Sequence, residues 1–521
     1  MCRISRAPFI AVFLLLMSGC GGQSPSSPGG NPPSAGLVSL TVTDTPPAGV
    51  TVLFFQLGVT GATLTTASGG SVSLLPGSTT IPVNVSQLQT DSAFLGTANV
   101  AVGTYTGMGL TFANPQLTIY NGSGATIGSG ANACSNNTVC QLTPSTTPLT
   151  LTLSSAPFPV TLSSAAPLAF KLDVHLNTVI QPDLTVNLAA TNGVTVSLLP
   201  APTTGQPVSS LAGLLGTIVG NSTTGFILQT GDGRTFTIAV NSSTIYNFPT
   251  SICADNFSCV TWQPPPIVKA VVSLQTDGTL LASQVTYMQP AGQTVVEGNI
   301  IRLSTSGGNT LMDMILQQGP STPATTLLPF GRRVTVSVPP TGVTYAIDAE
   351  GFGFPVDQFP FPNGVSFAST TDLQVGQQVA VVVSGGVTAT GSTPGFTSIT
   401  GPAGITFSTN SITLEPSQIT GTVTAVSAST LSFTLSTLPN YFVPPSALAS
   451  STPPIPAPVS ITIQTTPATT YVNLSPDSIS GLAVNDVVTI KGWVFSTPGG
   501  TTNVAVVAED VLNRPGPTPL F

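Results

Sequence analysis

The sequence predicts an all-β protein, with an N-terminal β-sandwich followed by three small β-barrel-like repeats. Segments rich in Val, Thr, Ile and Phe alternate apolar and polar residues, as half-buried strands do. The 52 Gly and 48 Pro residues separate these segments as turn residues do, and helix-period stretches are nearly absent. Full disorder is the alternative for such a composition, but the hydrophobic content of 41% argues against it.

The chain begins like an exported protein. Two arginines precede an apolar run, residues 9–17, which is shorter than the roughly 20 residues that span a bilayer. Small residues then lead to Cys20, and we expect residues 1–19 to be a signal peptide. Residues 20–36 are mostly Gly, Ser, Pro, Gln and Asn, which predicts a flexible tether.

Ser18-Gly19-Cys20 resembles the bacterial lipobox, in which a diacylglyceryl group is attached to the cysteine before cleavage in front of it. The resemblance implies that Cys20 is lipidated, with palmitate as a typical acyl chain. Two or three such chains, at ~0.8 kcal/mol per buried methylene, anchor a protein stably. Met17 stands where the pattern usually has Leu, and an ordinary signal peptide that contains a cysteine is the alternative. Gly21 follows the cysteine, and we expect a lipid-anchored bacterial cell-envelope protein of the outer membrane.

Charged residues make up only 5% of the chain, against about 25% in ordinary globular proteins. Without Arg3 and Arg6, the mature chain has eight Lys and Arg against 18 Asp and Glu, a net charge of −10. An acidic chain with so few cations is not suited to nucleic-acid phosphates, so we expect no nucleic-acid partner. Membrane contact is expected through the lipid anchor rather than through attraction to anionic headgroups.

Four of the six cysteines form two close pairs with the same spacing, Cys134 with Cys140 and Cys253 with Cys259. In an oxidising compartment they are expected to form two disulfides that pin polar loops, each contributing on the order of 2 kcal/mol. A four-cysteine metal site is the alternative. Its usual spacing of about two to four residues between cysteines is not present here, so we expect no metal.

Residues 37–200 are predicted to form the sandwich. The first strand shows strict alternation, and the second contains an apolar run that suggests burial on both faces. A short helix or turn is expected at residues 87–98. Strands are expected at residues 38–43, 50–59, 71–75, 81–85, 103–112, 116–120, 149–153, 169–176 and 194–199.

The opening LVSLTVTDTP of residues 37–46 and the later block FKLDVHLN of residues 170–177 resemble bacterial domain-of-unknown-function family 4382. That resemblance implies a sandwich-like fold in an exported or lipid-anchored protein, and it implies no activity. His175, the single histidine, is expected beside Asp173 on the outer face of its strand. An acid–base pair is one interpretation, and a solvated polar strand face is the favoured one. No nucleophile elbow is present.

After a linker, three units are expected at residues 211–290, 294–415 and 418–512, with a disordered tail at residues 513–521. Five alternating strands per unit suit a small closed barrel, because closure removes the sheet edges. Each unit opens with a Gly-led strand, at Gly216, Gly298 and Gly421. The strands are expected at residues 216–219, 226–228, 236–246, 267–274 and 280–287, then 298–301, 311–316, 334–345, 379–383 and 405–414, then 421–424, 431–435, 459–471, 487–490 and 504–511.

The units resemble domain-of-unknown-function family 5666, which is made of barrel-like repeats in exported bacterial proteins and has no assigned chemistry. The third unit carries the resemblance best, through GTV at residues 421–423 and VNDVVTIKG at residues 484–492. Trp262 and Trp493 are possible ligand platforms, although packing roles are the favoured interpretation.

Asp348, Glu350 and Asp357 lie in one insertion and could collect calcium, but they lack EF-hand spacing. Paired carboxylates of a glycosidase are not indicated either. We therefore expect no catalytic residues and no cofactor. The expected function is a non-catalytic, lipid-anchored scaffold for adhesion or contact with an envelope protein, displayed as a rod of units. The alternative is a carbohydrate-binding surface lipoprotein with a glycan partner.

Overall fold

The fold is known from a computed structural model. It describes residues 35–45, 51–75, 80–88, 90–121, 125–136, 138–147, 149–164, 167–199, 209–249, 251–253, 256–261, 264–290, 292–318, 328–349, 366–389, 397–398, 404–436, 460–496 and 504–513. The predicted all-β class is confirmed, with a sandwich followed by three closed five-stranded barrels. The predicted signal peptide and nearly all of the predicted tether lie outside the described residues.

The sandwich contains the first thirteen strands and one short helix, α1 (Leu176–Val179). Its strands are β1 (Ala35–Thr45), β2 (Thr51–Thr66), β3 (Ser71–Ser73), β4 (Ile81–Asn84), β5 (Ala93–Ala101), β6 (Gly103–Asn121), β7 (Thr138–Leu142), β8 (Thr146–Thr147), β9 (Thr150–Leu153), β10 (Val160–Leu162), β11 (Leu168–His175), β12 (Val186–Asn187) and β13 (Val194–Leu198).

Two sheets enclose the sandwich core. One has the order β13-β11-β1-β5, and its central strand β1 pairs in parallel with β11 and antiparallel with β5. The other is built on the long antiparallel pair of β2 and β6, with β3, β4, β7, β9 and β10 attached. Inward residues of both sheets, such as Leu40, Phe55 and Phe170, are buried in one cluster. The alternation in β1 and β11 therefore predicted the core correctly.

Two predictions in the sandwich are wrong. The segment expected as a short helix or turn, residues 87–98, is strand in its second half, because residues 93–98 belong to β5, which is held by its pairing with β1. The strands predicted at residues 103–112 and 116–120 form one continuous strand, β6. Pro115 lies within β6 where the register with β2 shifts, and a bulge is a place where a strand tolerates proline.

Twenty further strands build the barrels and their extensions. Barrel 1 contains β14 (Ser209–Ser210), β15 (Leu214–Asn221), β16 (Gly225–Thr230), β17 (Thr235–Ala239), β18 (Ile245–Asn247), β19 (Pro266–Leu274) and β20 (Leu280–Pro290). Barrel 2 contains β21 (Thr294–Ser306), β22 (Asn309–Gln318), β23 (Arg333–Val338), β24 (Thr344–Ile347), β25 (Gln378–Ala389) and β27 (Ile405–Glu415), with β26 (Thr397–Ser398) between the last two. Barrel 3 contains β28 (Ser417–Ser427), β29 (Ser432–Ser436), β30 (Ile461–Gln464), β31 (Thr470–Val472), β32 (Val487–Ser496) and β33 (Val504–Asn513). Short 3-10 turns lie at Val85–Gln87, Gly130–Asn132, Phe257–Thr261, Thr370–Asp372 and Ile479–Gly481.

The three barrels share one topology. Five strands form each ring: β15, β16, β17, β19 and β20 in barrel 1, β21, β22, β23, β25 and β27 in barrel 2, and β28, β29, β30, β32 and β33 in barrel 3. In this order, the first ring strand pairs with the second and fourth, and the last pairs antiparallel with the fourth and in parallel with the third. That last parallel pairing closes the ring and removes its two edges. A further short strand, β18, β24 or β31, extends the last strand in parallel.

The glycines that open the units have a common packing reason. A Cβ at Gly216, Gly298 or Gly421 would overlap a backbone carbonyl oxygen of the neighbouring hairpin strand, belonging to Gln229, Ile315 or Ser436. The barrel wall therefore approaches itself at this point too closely for any side chain.

The units pack against one another, so the expected rod is wrong. Three apolar clusters join the barrels and the sandwich, because outward-facing side chains of one unit are buried against another. Barrels 1 and 2 meet through Leu215, Ile267, Met288, Val295, Ala380 and Val382. The sandwich and barrel 2 meet through Leu53, Phe54, Tyr120, Val139, Ile301 and Ile315. Trp493, Phe495 and Val507 of barrel 3 join the core cluster of barrel 2.

We predict that Gly298→Ala lowers the stability of barrel 2 by about 1–3 kcal/mol, because the added methyl overpacks the wall against Ile315. The melting temperature measured by calorimetry reports the loss. Gly386→Ala is the matched control in the same barrel, since a Cβ there meets nothing within 4 Å. Equal melting temperatures for the two variants would contradict the close approach at Gly298.

Candidate functional site

The cysteine pairs lie where the sequence placed them. Cys134 and Cys140 have their Cα atoms 5.9 Å apart, and Cys253 and Cys259 have theirs 5.2 Å apart, with both pairs at disulfide-bonding distance. The first pair holds the segment that leads into β7, and the second joins the turn Phe257–Thr261 to the chain before it. Cys20, the predicted lipidation site, lies outside the described residues.

Trp493 is not a ligand platform. Its side chain is 0% exposed, and its indole Nε1 donates a hydrogen bond to the backbone oxygen of Asp348 at 2.7 Å. The residue joins barrel 3 to the core of barrel 2, as does Gln377, whose Nε2 donates to the backbone oxygen of Val494 at 2.9 Å. Trp262 lies outside the described residues.

The possible calcium ligands are not brought together as a site in the part of the chain that is described. Asp348 is fully buried and accepts hydrogen bonds from Gln284 Nε2 at 3.1 Å and Thr286 Oγ1 at 3.0 Å. It therefore joins barrel 2 to the last strand of barrel 1. Glu350 and Asp357 are outside the described residues. Within the described ranges no three His, Cys, Asp or Glu residues are grouped as metal ligands.

Asp173 and His175 lie side by side on the outer face of β11, as expected. His175 Nε2 is 3.7 Å from Asp173 Oδ2 and 3.4 Å from Thr195 Oγ1, and both ionisable side chains are 27% exposed. One ring nitrogen thus faces both neighbours, so this arrangement does not have the relay geometry of a triad, in which the two nitrogens face different partners. The cluster fits a solvated polar strand face.

The most distinctive polar site is a cavity of about 160 Å³ where the sandwich and all three barrels meet. We name it the junction cavity. Each unit supplies polar side chains to its wall, so the cavity exists only when the four units are assembled. These side chains include Asn84, Gln87 and Asp91 of the sandwich, Lys269 of barrel 1, Glu297, Gln318 and Gln378 of barrel 2, and Gln418 and Lys491 of barrel 3.

A first group of buried charges joins barrels 1 and 2 at this junction. Lys269 on β19 donates from Nζ to Glu415 Oε2 at the end of β27, and it lies 3.6 Å from Glu297 Oε1 on β21. The lysine side chain is 4% exposed and both glutamates are 0% exposed. Gln318 Nε2 also donates to Glu297. Because buried charges are costly unless they are paired, this group ties the positions of the two barrels together.

A second group of buried charges joins the sandwich to barrel 3. Lys491 Nζ on β32 is 3.2 Å from Asp91 Oδ2 and 3.6 Å from Glu509 Oε2 on β33. All three side chains are at most 9% exposed. The two groups have the same composition, one lysine with two carboxylates. The two lysines also lie in corresponding ring strands, β19 of barrel 1 and β32 of barrel 3.

Side-chain amides complete the junction. Gln317 donates from Nε2 to the backbone oxygen of Leu53 at 2.7 Å and accepts from Asn84 Nδ2 at 2.8 Å, which joins barrel 2 to the sandwich. Gln418 of barrel 3 donates to the backbone oxygen of Gln87 at 2.6 Å. Buried amides that lose such partners cost about 1–3 kcal/mol each. The contacts therefore favour one arrangement of the units.

The sandwich and barrel 2 also meet at a backbone carbonyl. The oxygen of Gly331 accepts hydrogen bonds from Thr118 Oγ1 at 2.6 Å and from Gln141 Nε2 at 2.8 Å. Burial in the neighbouring apolar cluster raises the pKa of Tyr120 above its ordinary value, so its phenol stays neutral at the interface. Beside this contact, β26 of barrel 2 pairs with the edge of β7, which covers part of that edge.

Bulges in the barrel strands aim several of these interface side chains outward. The strand register skips Met288, Ile301, Gln317 and Glu509. The first three contact another unit, and Glu509 contacts Lys491, which is paired with the sandwich. A bulge turns a side chain out of the in-and-out alternation. This is how small barrels with full cores also supply interface residues.

The sequence reasoning missed both junction lysines. A sign of their role was present, because Lys269 and Lys491 each interrupt an otherwise apolar strand, PIVKAVVSL and VVTIKGWVF. A lysine in such a run is rarely buried unless it is paired. The partners could not be found, because Asp91, Glu297, Glu415 and Glu509 carry no local pattern that relates them to a lysine on another unit.

The arrangement as a whole is suited to holding units together. Each junction lysine is matched by carboxylates of the protein, and the amides of Asn84, Gln317 and Gln418 are hydrogen-bonded to backbone groups or to one another. No protein-family model matches the chain, and no curated protein matches it. The resemblance to the two domain-of-unknown-function families stays a prediction. Across the described ranges, no helix combines the length and apolar character needed to cross a membrane.

We predict that Lys269→Met destabilises the protein by about 3–5 kcal/mol, because it leaves Glu297 and Glu415 buried without their cation. Adding Glu297→Gln and Glu415→Gln to this variant should recover most of the loss, since no unpaired charge remains. Calorimetric melting of the three proteins measures both effects.

Lys171→Met is the matched control, because Lys171 is only half-buried on the outer face of β11. Its expected cost is about 0.5 kcal/mol or less. Equal melting temperatures for the Lys269 and Lys171 variants would mean that the buried charges do not hold the barrels in place.

Proposed function

We propose that this protein is a non-catalytic, lipid-anchored envelope scaffold that presents a rigid β surface to a partner. The observation that carries the proposal is the junction, where buried lysine–carboxylate groups join barrel 1 to barrel 2 and the sandwich to barrel 3. A chain with few charged residues uses two of its eight mature cations there. The use of cations for contacts between units suits a protein whose function depends on a fixed arrangement of those units.

The path from the expected anchor into the fold supports the same function. The tether expected after Cys20 leads directly to β1, which begins at Ala35. This strand is central in its sheet, with β11 on one side and β5 on the other. Tension on the anchor would therefore load β1 along its length, against hydrogen bonds on both edges. A load-bearing attachment is what a tethered adhesive or scaffolding protein requires.

Carbohydrate capture has less support. Trp493 is buried, and every Phe, Tyr and Trp side chain of known exposure in the described ranges is either buried or only partly exposed. Glycan platforms use exposed aromatic faces, and the described residues include no fully exposed aromatic side chain that would favour one.

We predict that cells fed an alkyne-labelled palmitate analogue attach it to the wild-type chain but not to Cys20→Ala. The variant loses the only thiol that the lipobox resemblance assigns to acylation. On fractionation, the wild-type chain should be found with the membranes and the Cys20→Ala variant in the soluble fraction. Label that persists on Cys20→Ala, or a wild-type chain that carries none, would contradict the anchor.

The scaffold part of the proposal is tested separately. The Cys20→Ala protein should melt at the wild-type temperature, because the junction lies far along the chain from the anchor. A large fall in melting temperature would mean that the fold depends on lipid attachment, which a rigid scaffold on a flexible tether does not predict.

A further inference from the structure

The charged group between the sandwich and barrel 3 has the composition of a reactive centre as well as of an ion pair. An amine, Lys491 Nζ, lies 3.2 Å from one carboxylate oxygen of Asp91, and a second carboxylate, that of Glu509, lies 3.6 Å from the same nitrogen. The three side chains are 8%, 5% and 9% exposed. A nucleophile, an acyl carbon and a proton carrier are therefore together in a site that excludes most water.

The fold fixes each member from a different element. Lys491 lies within β32, and Asp91 lies in the loop between the turn Val85–Gln87 and β5. Glu509 lies in the bulge of β33, since Lys491 pairs with Asp510 and the next pair is Gly492 with Ala508. The bulge brings Glu509 to the lysine that strict alternation would turn away from it.

Burial makes the ionic state costly. Moving an ammonium and a carboxylate out of water carries a penalty of several kcal/mol for each ion, even after relaxation. Condensation of the amine with the carboxyl group would replace both charges by one neutral amide. The site also holds a second carboxylate, so the negative charge needed for proton transfer remains after the first has reacted.

We propose that Lys491 and Asp91 condense to an amide crosslink that joins barrel 3 covalently to the sandwich, with Glu509 as the proton carrier. This goes beyond the proposed scaffold function, because it assigns a self-catalysed modification to the junction. A chain locked in this way would keep its units assembled under load even when the ion pairs are broken.

The step balances without any other reactant. Glu509 takes a proton from the ammonium, and the free amine attacks Cγ of the Asp91 carboxylate, so that a C–N bond forms. Glu509 delivers this proton to an Asp91 oxygen, takes a second proton from the nitrogen and delivers it to the same oxygen. The C–O bond to that oxygen then breaks and the oxygen leaves as water, with Glu509 again a carboxylate. The reacting pair, ammonium and carboxylate, contains the atoms of one amide and one water molecule, so no oxidant or external proton is needed.

The geometry supplies what such a step requires. Holding the two groups in contact replaces a bimolecular encounter by an intramolecular one, worth effective concentrations of about 10⁵ M or more in well-oriented cases. Lys491 and Asp91 both line the junction cavity, which gives the released water a place to go. Asp91 lies in a loop rather than in a paired strand, so strand pairing does not fix its backbone.

The test is a peptide map of the full chain purified from membranes, reduced and digested, then read by mass spectrometry. We expect one branched peptide that contains both Asp91 and Lys491, with a mass lower than the sum of the two linear peptides by one water. Only linear peptides carrying intact Asp91 and Lys491 would overturn the proposal, and that result would leave the lipid anchor and the rigid scaffold untouched.

Variants sharpen the assignment. Lys491→Arg keeps the charge but removes the nucleophilic amine, so the branched peptide should disappear. Glu509→Gln keeps the shape and removes the proton carrier, and the crosslink should form about 100-fold more slowly or worse. Lys269→Arg alters the other junction lysine and should leave the branched peptide unchanged. A branched peptide that persists in Lys491→Arg would assign the link to another residue and overturn the proposal.

Discussion

The structure depends on the cost of burying charge. Two lysines, Lys269 and Lys491, lie where apolar strands meet other units, and each is matched by two carboxylates. An isolated charge at either position would cost several kcal/mol, so each group needs both of its contributing units in place. The ion pairs that offset the cost of burying these charges are therefore also contacts that hold the units together. Apolar clusters supply area, and the charged groups specify which faces meet.

The repeats show how one fold is used differently in three positions. A bulge occurs three residues after the opening glycine in each barrel, at Val219, Ile301 and Thr424. In barrel 2 this side chain is buried against the sandwich, whereas Val219 is 52% exposed and Thr424 is exposed. The bulge is thus present in all three barrels, and its side chain is buried only where another unit packs against it.

Much of the fold was predictable from the sequence because it follows from local rules. Period-2 alternation identified the five barrel-forming strands of each unit, although the third strand predicted in each, at residues 236–246, 334–345 and 459–471, is two separate strands in the structure. The opening glycines marked the places where the wall approaches itself. Contacts between units were not predictable. The second half of the helix or turn expected at residues 87–98 is part of β5 through its pairing with β1, and the packing role favoured for Trp493 is filled by another barrel, which the sequence did not indicate. The rod failed for the same reason, since a single sequence carries no local mark of which outward-facing side chains meet.

The most direct test of the central claim, that the four units form one packed body around a charged junction, is small-angle X-ray scattering of the mature chain. The account predicts a single-peaked pair-distance distribution of a compact particle, and a broader one for Lys269→Met, whose junction is broken. A long distribution with separate maxima for the wild-type chain, as a string of independent units gives, would contradict it.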